Sequence, residues 1–388
     1  MGRLKKTRGR ADTLGLELEC AQLKAVPFGN YGPISGTNRA IRTYSKEQRG
    51  IRLDNNLENP TSTEVPKTSK TLWQSLLSTA QKLLFGADGL RAGWSLLIFI
   101  TMLLALLACL KFIAQKVAPT QPHSSAGSAI PLKALLIGES IPFLIILFIT
   151  WIMAKIERRP NSVYGLGGAR PVTRFLGGLA WGVVCLSLLV LALWKGGLLT
   201  FDGRLLFGGE VWRYGALWLL GFLFVGLLEE YLTRGFLLYT LARGFSGIYK
   251  WLFKVENSAA LGFWTAAVGL SALFGLLHGQ NPGESPIGLL SAGLAGLVFC
   301  FSLRRTGSLW WAIGFHTSWD WAQSYLYGVA DSGMMAQHRL LASHPVGKPI
   351  LSGGATGPEG SVLVLVVFVV IVAVIVFTLP SKRESQPV

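Results

Sequence analysis

From residue 93 onward, long apolar runs alternate with short polar and basic links. A bilayer core takes about 20 consecutive, mostly apolar residues in helical form, because unpaired backbone groups find no water there. Eight runs meet or approach that length: Gly93 to Leu110, Ala134 to Ala154, Phe175 to Leu193, Tyr214 to Leu241, Ala259 to Leu277, Ile287 to Leu303, Leu309 to Tyr327, and Val362 to Leu379. They predict an all-α, polytopic transmembrane helix bundle of about eight spans. Residues 1 to 70 lack sustained periodicity and hold many Gly, Pro, Ser, Thr and Asn, which predicts a disordered basic tail. The link from Gly328 to Gly360 is also rich in Gly, Pro and Ser, and reads as a long loop.

Composition agrees with a membrane protein. Apolar residues make up 51% of the chain and charged residues 14%, against roughly 25% charged in ordinary soluble domains. The net charge of +16 does not gather on one folded face, so nucleic acid is not expected as a partner. The basic residues lie in the amino-terminal tail and in alternate links. With the amino terminus inside, 27 Lys and Arg fall on the inner side and 6 on the outer, which predicts both termini in the cytoplasm. The expected location is therefore multi-pass in a membrane, with a bacterial cytoplasmic membrane as the reading. The four cysteines, Cys20, Cys109, Cys185 and Cys300, form no close pair, so neither a disulfide framework nor a cysteine zinc site is predicted.

The informative residues are the ionisable ones that a membrane helix should avoid. Within the fourth run, Glu229, Glu230 and Arg234 interrupt apolar sequence. An acidic side chain at mid-span costs about 2.5 to 3.5 kcal/mol on insertion scales, so each carboxylate needs a partner or a wet cavity. Glu230 and Arg234 are four apart with the acid first, the favourable order for an ion pair. Glu229 points about 100° away around the helix and is not offered that pair. The fifth run ends on Phe274 and His278, and the seventh carries His316 and Asp320, again four apart. Two histidines with carboxylates make either a general-base and oxyanion site or a zinc ligand set with His278, His316 and Glu229. Glu139 reads as a packing or lumen residue and Lys195 as snorkelling at a span end.

At these residues the chain resembles the CPBP intramembrane proteases, also called the Abi family, which include the Ras-converting CAAX endopeptidases. The family's motifs are Glu-Glu-x-x-x-Arg, Phe-x-x-x-His and His-x-x-x-Asn or Asp, in that order on separate membrane helices. They correspond to Glu229, Glu230 and Arg234; Phe274 and His278; and His316 and Asp320. The resemblance covers roughly residues 210 to 330. It implies that Glu229 activates a water with His278, that His316 and residue 320 stabilise the oxyanion, and that Glu230 and Arg234 hold the site together. Position 320 is Asp where many relatives have Asn, and an ionised carboxylate donates no hydrogen bond. Protonation, orientation of His316 and metal binding stay open as roles for Asp320.

The expected organisation is a tail (1–70), accessory transmembrane helices (71–205), a CPBP-like catalytic core (206–330), and an outer loop with a final span (331–388). The expected function is an intramembrane endopeptidase, dependent on glutamate or on metal. It would act on a membrane-associated protein or peptide, CAAX-like or lipid-modified, with zinc open as a cofactor and the lipid bilayer as surroundings. The alternatives are a non-catalytic immunity or scaffolding protein and a proton-coupled transporter. One tension stands: if every span were a straight rod, Glu229 and His316 would lie about 10 Å from the inner face and His278 near the outer one.

Overall fold

The computed structural model describes residues 72–86, 89–117 and 129–380, which fall within one compact unit. The expected tail over residues 1–70 lies outside the described residues. The helices are α1 (Leu72–Leu84), α2 (Ala92–Val117), α3 (Leu132–Ile156), α4 (Pro171–Lys195), α5 (Gly209–Glu230), α6 (Leu238–Phe253), α7 (Ser258–Leu277), α8 (Pro286–Thr306), α9 (Trp310–Trp321), α10 (Pro349–Ser352) and α11 (Val364–Thr378). Sheet is confined to two small antiparallel pairs, β1 (Phe85–Gly86) with β2 (Gly89–Leu90) and β3 (Leu199–Arg204) with β4 (Leu341–Pro345).

Six helical segments among the described residues are long and apolar enough to cross a bilayer: Ala92–Ile113, Leu132–Ile156, Pro171–Lys195, Gly209–Phe253, Ser258–Gln280 and Pro286–Thr306. Of the about eight expected spans, six meet this measure. The seventh run is helical from Trp310 to Leu326, 12 residues of α9 followed by five of π-helix, and the last run gives the 15 residues of α11. In the seventh run the backbone widens into a π-helical stretch at Ala322–Leu326 and then leaves the helix. The fourth run behaves in the opposite way. It lies within one 45-residue helical segment in which α5 passes through a π-helical stretch, Tyr231–Leu237, directly into α6. π-Helical turns inside α-helices are rare and concentrate at functional sites. Here they follow Glu230 immediately in one case and Asp320 by one residue in the other.

Local sequence explains the helix ends. Pro171 and Pro286 occupy first helical positions, where a missing N–H costs nothing. Ser285 caps α8 by accepting the Gly288 N–H at 3.0 Å, and Gly307, at φ 69°, closes it in the left-handed region.

Packing is set by glycine where α4 meets α9. A Cβ at Gly178 would strike the Trp311 carbonyl oxygen, one at Gly182 the Phe315 carbonyl oxygen, and one at Gly314 the Phe175 carbonyl oxygen. Backbones therefore approach closely, as small residues permit in membrane bundles. Around this seam lies a core of Leu186, Leu189, Leu193, Trp311, Phe315 and, from the last helix, Ile371 and Ile375. Segments expected to be accessory, catalytic and terminal thus share one hydrophobic core. At the carboxyl end of α3, buried Glu157 accepts from Ser95 of α2 and from Arg243 of α6, tying three helices together.

The long loop over residues 328–362 folds back into the bundle. Thr356, Gly357, Pro358, Glu359, Gly360 and Ser361 are all buried. Its turn at Asp331–Met334 is closed by paired backbone hydrogen bonds of 2.8 and 2.9 Å.

Replacing Gly182 with Leu should separate α4 from α9 and lower the thermal unfolding midpoint in detergent, at a cost of about 1 to 3 kcal/mol for overpacking. Gly269→Ala, in α7 where nothing lies within 4 Å, should leave the midpoint unchanged or slightly raised. Equal behaviour of the two variants would contradict the close-packed seam.

Candidate active site

Two neighbouring carboxylates emerge from the end of α5 into different surroundings. Glu230 is fully buried, whereas the Glu229 side chain keeps 30% of its exposure. Arg234, one turn on in the π-helical stretch, donates from Nη1 to Glu230 Oε1 at 2.9 Å, with both side chains buried. The ion pair implied by the four-residue spacing is therefore formed. The guanidinium also lies over the Phe274 ring, 4.2 Å from its centroid. Gly296 of α8 leaves it room, since a Cβ there would collide with Nη2.

His316, on α9, closes the other side of Glu230. Its Nδ1 lies 3.0 Å from Glu230 Oε1, so the same oxygen joins the arginine and the imidazole. Nε2 of His316 faces two further carboxylates, Asp320 Oδ2 at 3.5 Å and Glu229 Oε2 at 3.7 Å. Three acids from two helices thus converge on one ring. The Phe299 ring, 5.8 Å from His316 and 5.9 Å from the Arg234 guanidinium, supports both from α8.

His278 begins a 3-10 turn at the end of α7, with Nδ1 2.8 Å from the Phe274 carbonyl. Its ring stands 4.6 Å from the Phe274 ring that carries Arg234. His278, His316 and Asp320 line one cavity of about 80 Å³, together with Phe274, Phe299 and Trp319. That is room for several waters beside polar partners.

Glu139 stands on α3, half-buried and within electrostatic reach of Glu229. Lys195, at the end of α4, places its ammonium over Trp194, 4.5 Å from the ring centroid. Among the described residues no group of three or more His, Cys, Asp or Glu side chains is gathered as a metal ion requires. His278 and His316 each have Nδ1 engaged, by the Phe274 carbonyl and by Glu230, and the expected zinc ligands His278, His316 and Glu229 do not form such a set.

One family model matches part of the chain. Residues 211–322 match the family model described as type II CAAX prenyl endopeptidase Rce1-like. That region is similar to the CAAX protease family of membrane proteins. The matched segment runs from α5 to the π-helical stretch after α9 and contains Glu229, Glu230, Arg234, His278, His316 and Asp320. Neither the curated proteins nor the solved structures compared with the chain matched it. With its apolar helices and this family region, the protein is an integral, multi-pass membrane protein.

Two acids of the cavity were not anticipated from sequence. Asp331 and Glu359 line it from the loop, outside the matched segment. Ser324 donates to Asp331 Oδ2 at 3.0 Å, while Glu359 accepts from the Ser332 N–H and from Gln323. Burial pushes the Asp331 carboxyl up to about 6, opposed by the Ser324 hydroxyl and the two histidines. Burial, and then the neighbouring Asp331, raise Glu359 as well. The available signal was glycine. Gly328, Gly333, Gly353, Gly354 and Gly357 all have positive φ, the mark of a tightly folded segment.

Arg234→Met would leave Glu230 buried with its main counter-charge removed, and should lower stability by about 3 to 5 kcal/mol in detergent unfolding. Glu229→Gln, at a partly exposed carboxylate, should shift the same midpoint by less than about 1 kcal/mol. A larger effect from Glu229→Gln than from Arg234→Met would contradict the division between a buried anchor and an available carboxylate.

Proposed function

We propose that the protein is an intramembrane endopeptidase of the CAAX type, in which Glu229 acts as general base on a cavity water. The observation that carries this reading is the convergence of Glu229, Glu230 and Asp320 on His316, beside a cavity that also holds His278. An amide is hydrolysed when a base activates water, a donor stabilises the developing oxyanion, and both are held in place before the reaction. Glu229 has the exposure and the open acceptor capacity of the base. His278 has Nδ1 turned to a carbonyl, which leaves Nε2 as acceptor, suited to hold the attacking water with Glu229.

His316 is the oxyanion donor in this reading. Glu230 fixes its ring through Nδ1, and Nε2 is directed towards the cavity. Asp320 serves as a companion of the imidazole, balancing charge at Nε2 and orienting it, so it needs no hydrogen bond of its own to the oxyanion. Glu230 and Arg234 anchor the ring and do not react. The substrate class is a membrane-associated polypeptide cut near the lipid layer, with both termini of the enzyme on the cytoplasmic side.

The test is cleavage by purified full-length protein of a farnesylated peptide ending in a CAAX sequence. It is joined by a survey of new polypeptide termini in cells carrying the native protein or Glu229→Gln. Native protein should generate termini in membrane proteins that vanish in Glu229→Gln, with at least about 10²-fold loss of rate and an unchanged melting point. A Glu229→Gln protein that keeps full cleavage would overturn the assignment of the base. Loss of function only in step with loss of folding would favour a scaffolding protein.

A further inference from the structure

In the endopeptidase reading, the proton for the leaving nitrogen comes either from Glu229, once it has taken one from water, or from a separate acid of the cavity. When the tetrahedral carbon collapses, the departing nitrogen needs a proton, because an amide anion is too basic to leave unassisted. Glu230 is committed to Arg234 and His316, and Asp320 stands against the His316 imidazole. Asp331 differs from them, because it lines the same cavity with only a hydroxyl donor bonded to Oδ2.

Its position is held from several sides. The Asp331–Met334 turn is locked to the chain after His278: the Gly333 N–H donates to Thr356 O at 2.9 Å, and Thr356 donates to Gly283 O at 3.1 Å. A Cβ at Gly333 would collide with the Pro282 carbonyl oxygen, so the turn lies directly on that segment. Glu359 binds the next backbone N–H, that of Ser332, and grips Gln323 of the π-helical stretch. Buried Gln323 in turn donates to Ala330 O at 2.8 Å. The loop is therefore stitched to both histidine-bearing elements through the residues flanking Asp331.

We infer that Asp331 is the proton donor to the leaving amine, and that Glu359 is the residue that positions it. This inference rests on the endopeptidase reading. The water oxygen bonds to the carbonyl carbon while its proton passes to Glu229. As the C–N bond breaks, its electron pair stays on nitrogen and the Asp331 proton follows it. The proton on Glu229 then returns to Asp331 through His316 and cavity water, and the net reaction consumes one water.

The groups facing Asp331 are His278 from the end of α7, His316 and Asp320 from α9, Glu229 from α5, Ser324 from the π-helical stretch, and Glu359 from its own loop. Their balance, with burial foremost, leaves the carboxyl near 6, close to the range in which a general acid is most effective. As pH rises through that value the proton is lost, so amide cleavage should fall on the alkaline side.

The experiment compares a farnesylated CAAX-type peptide with the same peptide carrying a thioester at the scissile bond, whose thiolate leaves without a proton. Asp331→Asn should lower kcat on the amide by about 10²-fold with KM little changed, and on the thioester by no more than a few fold. It should also abolish the alkaline limb. Asp331→Glu should restore part of the amide rate. Glu359→Gln should lower kcat on the amide with KM and the thioester rate little changed, since it loosens the hold on the Ser332 backbone beside Asp331. Equal losses on both substrates, a change confined to KM, or an unaffected amide rate would overturn the inference while leaving the endopeptidase reading in place. A native protein that cuts neither probe, indistinguishable from Glu229→Gln, would overturn both.

Discussion

The structure depends on one buried carboxylate. Glu230 is wholly withdrawn from solvent, a condition that costs several kcal/mol unless the charge is matched by partners of good geometry. Arg234 supplies the counter-charge, and His316 supplies a second hydrogen bond to the same oxygen. Because Arg234 comes from the same helix and His316 from α9, the bond network fixes the rotation of α9 against α5. Phe274 and Phe299, packed on the guanidinium, bring α7 and α8 into the same arrangement. A costly charge within an apolar bundle thus acts as a registry device, and the reactive groups stand where this registry leaves them.

Irregular backbone at the site serves the same end. Two π-helical stretches start at or just beyond the acidic positions of α5 and α9. Each widens the helix beside the acidic positions. The returning loop places Asp331 and Glu359 in the cavity wall, with backbone and side-chain hydrogen bonds that compensate polar groups carried into the interior.

The family segment, residues 211–322, does not stand alone physically. α4 packs on α9 through Gly178, Gly182 and Gly314, and α11 adds Phe368 and Ile371 to the cavity wall. Elements outside the segment therefore define how closely α9 is held and how the cavity is closed.

The apolar runs and the four-residue spacings were readable along the chain. Period and length are local properties, and Glu230 with Arg234, or His316 with Asp320, needs only a single helix to be brought together. The separation of Glu229 from Glu230 into exposed and buried roles was readable for the same reason. Three things required the fold: the reduction from about eight spans to six long ones, the meeting of His316 with Glu230 across helices, and the burial of Asp331 and Glu359. Each arises from contacts between residues distant in the chain, or from a change of helical pitch that hydropathy does not register. A glycine-rich loop looks the same in sequence whether it stands in water or folds into a bundle, and only its packing decides which.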